Sequence, residues 1–284
     1  QKILHDIEAE KVTVIYLPPT ATYALMAQPN VHDFDYSSLR NYVSTSAPIS
    51  SEKLKEASKI FGPVMTQVYA QTECMMIVSF IGPETFYDEN GQIRDEKLLR
   101  SCGRSAPFNN VAIMNENGSF AATCERGEVV VKSDMVMSGY YKNQSATQEA
   151  IQDGWLHTGD IGELDEEGFL YIVDRCKDMI ISGGFNVYPI EIEQVIWSHP
   201  LVEDCAVIGV PDDKWGEAVT AVVQLKSGNI VTKDELIALC KNQLGSVKTP
   251  KNIEFVTQLP RSAVGKVLKR TLRDQFWKNV DRSI

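Results

Sequence analysis

Histidine and cysteine are scarce, with four and six copies in 284 residues. The cysteines (Cys74, Cys102, Cys124, Cys176, Cys205 and Cys240) are never closer than 22 positions, and no CxxC occurs. His5, His32, His157 and His199 form no HExxH or HxxxH pair. These gaps exclude the usual zinc frameworks and a disulfide scaffold, so the cysteines read as reduced, mostly buried thiols of a cytoplasmic protein. No apolar run approaches the roughly 18 residues of a membrane span. No signal peptide is visible in these residues, although a missing start could have carried a targeting segment, and internal repeats and low-complexity stretches are also missing. Positive charge is in deficit: 28 basic against 38 acidic residues give a net charge of −10, which argues against nucleic acid as a partner. Methionine is absent from position 1. Gln1 leads straight into an amphipathic pattern, which suggests a chain whose beginning is missing.

The chain has ample material for a core. Hydrophobic residues make up 43 %, charged residues 23 %, and the length suggests about two domains. The acid excess is uneven. Up to Lys177 there are 15 basic and 25 acidic residues; from Asp178 on there are 13 of each. The stretch from Lys248 to Ile284 is basic, with 9 against 3.

Periodicity gives a coarse order of elements. Residues 1–10 carry helical spacing, and Val12 to Leu17 reads as a buried strand stopped by Pro18 and Pro19. Tyr42 to Ser46 is a short strand. A helix follows from Ile49 to Phe61, capped by Ser50 or Ser51 and ended by Gly62-Pro63, and then a strand from Met65 to Tyr69. This is the pattern of an α/β layered domain. From Gly103 to Val173 the texture becomes β-rich, with runs at Val111–Met114, Gly127–Lys132 and Phe169–Val173 and turns at Asn117-Gly118 and Glu167-Gly168. A small antiparallel sheet or barrel is expected there. Beyond Asp178, helices at Pro189–Ile196 and Lys233–Leu244 alternate with strands at Cys205–Val210, Ala218–Leu225 and Ile253–Val256. Charge and texture both break at Asp174–Asp178, which marks a domain boundary.

Three polar stretches carry candidate chemistry. Tyr69-Ala70-Gln71-Thr72-Glu73 is expected as a loop directly after a strand, where ligands bind in α/β sheets. An aromatic, a hydroxyl and a carboxylate there can stack a base, touch a phosphate and hold Mg²⁺. Gly154-Trp-Leu-His-Thr-Gly-Asp160 reads as a tight loop whose aspartate suits two vicinal sugar hydroxyls, although a β-turn with an Asx-type aspartate explains it equally. Pro260-Arg-Ser-Ala-Val-Gly-Lys266 suggests phosphate contact but is not a Walker loop. Alone, it is an ordinary solvated lysine.

Order and spacing together are more telling. These stretches join Ser44-Thr-Ser-Ala-Pro-Ile49, Gly127–Lys132 with Gly139-Tyr-Tyr141, Asp174–Glu193 and Val210–Glu217 in one series. The series resembles the adenylate-forming superfamily of acyl-CoA synthetases, luciferases and peptide-synthetase adenylation domains over nearly the whole chain. The resemblance implies a mixed α/β and α+β fold: residues 1–102 from an α/β AMP-binding core, a β-barrel-like subdomain over 103–174, and a mobile lid domain over 178–284, with a hinge near 175–178. It implies a reaction in which ATP and a carboxylic acid give an acyl-adenylate, whose acyl group passes to coenzyme A. A fatty or other hydrophobic acid is expected. ATP or AMP, Mg²⁺ and coenzyme A are the implied cofactors and co-substrates, and self-association into a homo-oligomer is compatible with it.

Residue by residue, Ser46, Ala47 and Pro48 would line the adenine side. Tyr69 would stack on the base or bound the acyl pocket, with Ala70 and Gln71 beside it. Thr72 would touch the α-phosphate and Glu73 would help to hold Mg²⁺. Asp160 would take both ribose hydroxyls, Arg175 would also reach the ribose, and Ile172 would pack on the nucleoside. Lys266 resembles the adenylation lysine, Lys177 the hinge, and Gly183-Gly184 the backbone lining a pantetheine channel. Two departures stand out. Ala70 occupies a position where the family pattern has glycine, and the family's phosphate loop ending in Pro-Lys is nowhere in the 284 residues. The chain is therefore expected to be inactive alone. A nucleotide- or partner-binding remnant and another adenylate-forming activity, peptide-synthetase or luciferase-like, are the alternatives.

Overall fold

Apolar residues at helical and strand spacing sort this chain into two compact units, Gln1–Ile172 and Val173–Ile284. The computed structural model describes residues 1–262 and 265–277. In the first unit, helix α1 (Lys2–Ala9) buries Leu4 and Ile7 one turn apart. Strand β1 (Val14–Leu17) follows, then α2 (Pro19–Met26), β2 (Asn41–Ser44), α3 (Ser51–Phe61), β3 (Met65–Gln71) and β4 (Cys74–Ile81). The short helix α4 (Pro83–Phe86) and strand β5 (Arg104–Ser105) complete a five-stranded sheet in the order β1-β2-β3-β4-β5. Its first three strands are parallel, while β4 and β5 run antiparallel to their neighbours.

Helix α3 shows how local sequence fixes these boundaries. Ser50 Oγ accepts from the Lys53 amide at 3.2 Å, Leu54, Ala57 and Phe61 face the core, and Gly62 at φ +91° ends the helix. Such a cap contributes about 1 kcal/mol. Strand β1 is an edge strand, so the expected burial fails: Val14 is 55 % and Tyr16 60 % exposed. Pro19 likewise does not simply stop the strand. Its fixed φ and missing N–H suit the first turn of α2, where no partner is needed.

The second sheet of this unit is made of β6 (Asn110–Met114), β7 (Gly127–Lys132), β8 (Ile151–Gln152), β9 (Trp155–Leu164) and β10 (Leu170–Arg175), with α5 (Gln144–Ala150) before β8. Its order is β10-β9-β7-β6, with β8 on β9, and the sheet is open. Of the expected small antiparallel sheet or barrel, the sheet is what forms: it does not close into a barrel, and β6 and β10 end the path as edges.

The second unit has one five-stranded sheet: β11 (Ile180–Ser182), β12 (Phe185–Val187), β13 (Val202–Asp212), β14 (Gly216–Leu225) and β15 (Asn252–Val256). Strands β13 and β14 pair over their full lengths and are buried on both faces. Helices α6 (Pro189–Trp197) and α7 (Lys233–Lys248) lie in the core that includes Val207, Val219 and Val223. Helix α8 (Lys269–Asp274) contributes Leu272 to the opposite core with Ile208 and Val222. Cys74, Cys205 and Cys240 are buried, but Cys124 and Cys176 are exposed, so the expectation of mostly buried thiols holds for only half of them. No helix among the described residues is long and apolar enough to cross a membrane.

Candidate functional site

The first polar constellation lies where β3 and β9 approach each other. Tyr69, Ala70 and Gln71 lie within β3, and Thr72 and Glu73 form the turn into β4. The expected loop is thus a strand end and a two-residue hairpin turn, because the apolar run after Glu73 returns as β4. Likewise, the expected loop at Gly154–Asp160 is mostly strand, with only Gly154 in the preceding turn. Residues of β9 pair with β7, and the register slips between Glu128 and Val130. Gly159, at φ +70°, absorbs that bulge.

The bulge is pinned from β7. Glu128 Oε1 accepts from the Gly159 amide at 2.9 Å, and its other oxygen lies 2.7 Å from His157 Nδ1. Thr158 Oγ1 donates to the Val129 carbonyl at 2.7 Å and accepts from the Asp160 amide at 3.1 Å. Asp160 is thereby turned inward and is only 4 % exposed. Tyr69 Oη donates to Asp160 Oδ2 at 2.6 Å, and Gln71 Nε2 donates to the same oxygen at 2.7 Å. Gln71 also bonds the Thr158 carbonyl at 2.9 Å. Burial, then the Asp160 charge, holds the Tyr69 phenol well above its ordinary pKa, so it remains a donor. Ile172 and Tyr69 pack against one apolar cluster around Val129 and Leu170.

The hairpin turn carries the second group. Glu73 Oε1 accepts from Tyr140 Oη at 2.8 Å, and the Glu73 carbonyl accepts from the Met137 amide at 2.7 Å. The bond to Glu73 also raises the Tyr140 pKa. Thr72 is exposed beside it. The parallel register puts Ser44 opposite Gln67, so Ser46, Ala47 and Pro48 leave the sheet at the same end as the Tyr69 segment. Ser46 adopts φ +74°, a conformation unusual for a non-glycine residue and typical of functional loops. The Ser44 hydroxyl at the base of this loop is buried without a hydrogen-bond partner among the described residues.

The second unit holds the remaining candidates. Lys266 is exposed in a tight loop after β15. The Ser262 amide donates to the Lys266 carbonyl at 2.8 Å, and the Lys266 amide donates to Ser262 Oγ at 3.2 Å. Arg261 braces the loop by donating to the Gly265 carbonyl at 3.0 Å and pairing with Asp204. Ala263 and Val264 of this motif lie outside the described residues. Gly183 and Gly184 form the two-residue turn between β11 and β12, both with positive φ as a type I′ turn requires. A Cβ at Gly183 would meet the Trp215 ring at 2.8 Å. Arg175 and Lys177 are exposed on the segment entering the unit.

The structure thus brings Tyr69, Gln71, Asp160 and Ile172 together, and separately Glu73 with Tyr140. Glu128, His157, Thr158 and Tyr140 were not singled out from the sequence. Only their long-range partners identify them, although Gly127–Lys132 and Gly139–Tyr141 lie in the series that carries the resemblance. Among the described residues, no group of three or more His, Cys, Asp or Glu side chains is arranged for a metal. Glu73 at an exposed turn nevertheless fits Mg²⁺, which commonly takes one or two carboxylates and completes its shell with phosphate oxygens and water.

Comparison with known proteins bears on this arrangement. Residues 1–141 match the family described as AMP-binding enzyme, and residues 191–266 match the AMP-binding enzyme C-terminal domain. A medium/long-chain-fatty-acid–CoA ligase of Mycobacterium tuberculosis is 39 % identical over all of this chain and 49 % of its own length. The amide bond synthetase McbA of Marinactinospora thermotolerans superposes with a TM-score of 0.89 at 35 % identity, over 97 % of this chain and 55 % of its own. ATP-bound MatB of Rhodopseudomonas palustris superposes with a TM-score of 0.87 at 31 % identity, over 99 % and 54 %. The chain spans about half the length of the relatives it matches.

Proposed function

Because this chain belongs to the AMP-binding enzyme family, we propose that it supplies the nucleoside half-site and the lid of an acid–thiol ligase. In this reading a carboxylate oxygen attacks the α-phosphorus of ATP, pyrophosphate leaves, and an acyl-adenylate forms. The thiol of coenzyme A then attacks the acyl carbon, and AMP leaves as the thioester forms. The acid is a fatty or other hydrophobic carboxylate, in keeping with the fatty-acid–CoA ligase similarity. The setting is the reducing cytoplasm, with small molecules as partners.

One observation carries the reading: Asp160 is buried, and its carboxylate is oriented by the Tyr69 phenol and the Gln71 amide where β3 and β9 approach each other. Such a group suits the paired hydroxyls of a ribose, and Arg175 assists. Ile172 packs on the nucleoside, and Ser46, Ala47 and Pro48 bound the adenine. Tyr69 flanks the base or the acyl pocket, and the Ala70 methyl narrows that wall. Thr72 donates to the α-phosphate. Glu73, oriented by Tyr140, would hold Mg²⁺, whose charge offsets that of the phosphates. Lys266 stabilises charge building on the entering carboxylate and the phosphate oxygens, an electrostatic effect worth about 10²–10³-fold. The core segments 1–102 and 103–174 bind the nucleotide. The 178–284 lid pivots near Lys177 to exchange Lys266 for the Gly183-Gly184 turn, whose bare backbone suits a pantetheine arm.

Calorimetric titration with AMP tests the ribose assignment. Asp160→Ala should weaken binding by about 10- to 100-fold, the range for a charged hydrogen-bond acceptor. An unchanged Kd would remove Asp160 from the site. The chain alone should bind AMP without supporting pyrophosphate exchange, and robust exchange would contradict the need for a separate phosphate loop. A second reading, transfer of the acyl group to an amine, draws on the similarity to an amide bond synthetase. Competition between coenzyme A and amines for a supplied acyl-adenylate separates the two.

A further inference from the structure

Helix α8 begins three residues after Lys266 and carries two cations four residues apart, Lys269 and Arg273, which therefore share one face. Both are used inside the second unit. Lys269 Nζ lies 2.8 Å from Glu193 Oε1, and Glu193 is 3 % exposed. The same Glu193 oxygen accepts from the Val207 amide at 2.7 Å, tying α6 to β13. Asp174 is also buried. Its carboxylate accepts from the Arg175 amide at 2.7 Å and the Ile190 amide at 2.9 Å. Burial alone would depress the Lys269 ammonium, yet Glu193 and Asp174 outweigh it and the net direction is upward. So α8 is anchored by a charged group that stays protonated.

Four residues on, Arg273 reaches the segment that enters the unit. Its Nη2 donates to Asp178 Oδ1 at 2.8 Å, with both side chains 15 % exposed, and its Nη1 donates to the Lys177 carbonyl at 3.1 Å. The Met179 amide donates to the Arg175 carbonyl at 3.1 Å, spanning the short 3₁₀ helix over Cys176–Asp178. At its other end, α8 is joined to the Lys266 loop by the Leu268 amide, which donates to the Pro260 carbonyl at 2.8 Å. A continuous set of bonds therefore runs from the Lys266 loop through α8 to residues 174–178.

We propose that α8 is a latch, in which Arg273 clamps the 176–178 turn and is a positioning residue for Lys266, and that release of the Lys177 carbonyl from Arg273 frees the pivot. The positioning role rests on the ligase reading of Lys266 and Lys177; the clamp does not. Any rotation about Lys177 moves its carbonyl, and the fixed fork of a guanidinium cannot follow both that carbonyl and Asp178.

Hydrogen exchange on the full chain tests the clamp. Arg273→Ala should speed exchange at Met179 by about 10- to 100-fold, the range for losing a charged hydrogen bond. Amides of α7 should not change, whereas a general loss of structure would accelerate both. Arg273→Lys keeps the charge facing Asp178 without the fork and should fall between. Unchanged exchange at Met179 in a folded Arg273→Ala protein overturns the clamp. In the whole enzyme, the same substitution should change the ratio of pyrophosphate exchange to thioester formation from supplied acyl-adenylate. Faster exchange with an unchanged ratio overturns the positioning role. Wild-type enzyme lacking both half-reactions overturns the ligase reading, a failure distinct from that of the clamp because exchange at Met179 needs no substrate.

Discussion

Two pairs of carboxylates, one pair in each unit, are held by different donors. In the first, Asp160 receives a phenol and an amide, and Glu128 receives a backbone amide beside His157. In the second, Glu193 faces Lys269, and Asp178 faces Arg273. The phenol and the amide orient the Asp160 carboxylate, while Lys269 and Arg273 pair with the charges of Glu193 and Asp178 inside the fold. The difference separates a site from a strut. In the second unit Glu193 ties α6 to β13 and α8, and Asp178 ties α8 to the 176–178 turn.

The largest test of this contrast is Lys269→Ala. It strands Glu193 in a buried place, and breaking a buried pair on one side costs about 3–5 kcal/mol. Urea unfolding followed by fluorescence should lose that much in the second unit, with nucleotide binding by the first retained. A loss below about 1 kcal/mol would make the pair an ordinary surface bridge. Next is Gly183→Ala. It combines a positive-φ penalty of roughly 1–2 kcal/mol with contact against Trp215. Thermal melts should show the loss, and an unchanged Tm would mean that the turn relaxes.

The smallest effect is in pH. The Asp165 carboxyl is opposed by burial, but Lys97 and the Phe169 amide outweigh it and hold its pKa below the ordinary 3.8. It therefore supports the first unit above that pH and ceases to as pH falls through the lowered value. Asp174 and Glu193 are shifted upward by burial, so mild acid favours their folded form. Lys269, also shifted upward, contributes stability below about 10.5 that is lost only as pH rises past its folded value. Acid should thus cost the first unit before the second. Asp165→Asn should flatten the acid limb by at most about 1 kcal/mol, because its lysine partner is 53 % exposed. An acid limb that Asp165→Asn leaves intact would locate it elsewhere.

Much of this fold is legible in the chain. Helix α3 announces itself through Ser50, the Leu54–Ala57–Phe61 stripe and Gly62, and Thr232 with Glu235 opens α7 in the same way. Strands β13 and β14 are apolar runs of the right length. What stayed hidden has physical causes. Strand β4 is an apolar run without period-two alternation, and Thr72-Glu73 is not turn-specific, so its hairpin is silent. Gly154 and Gly159 suggest a loop, but one sits in a turn and the other in a bulge of a strand whose pairing depends on distant Glu128. The edge position of β1 depends on the order of the sheet. Of the candidate site, residue types and order carry the family resemblance, whereas the contacts Tyr69–Asp160, Gln71–Asp160 and Tyr140–Glu73 exist only once β3, β9 and the Gly139–Tyr141 segment meet.

The proposed roles of Asp160 in one unit and Lys266 in the other are tested most directly by Lys266→Ala in the whole enzyme, with the two half-reactions assayed separately. The account predicts that pyrophosphate exchange falls by about 10²–10³-fold while thioester formation from supplied acyl-adenylate is preserved. Equal loss of both half-reactions would contradict it.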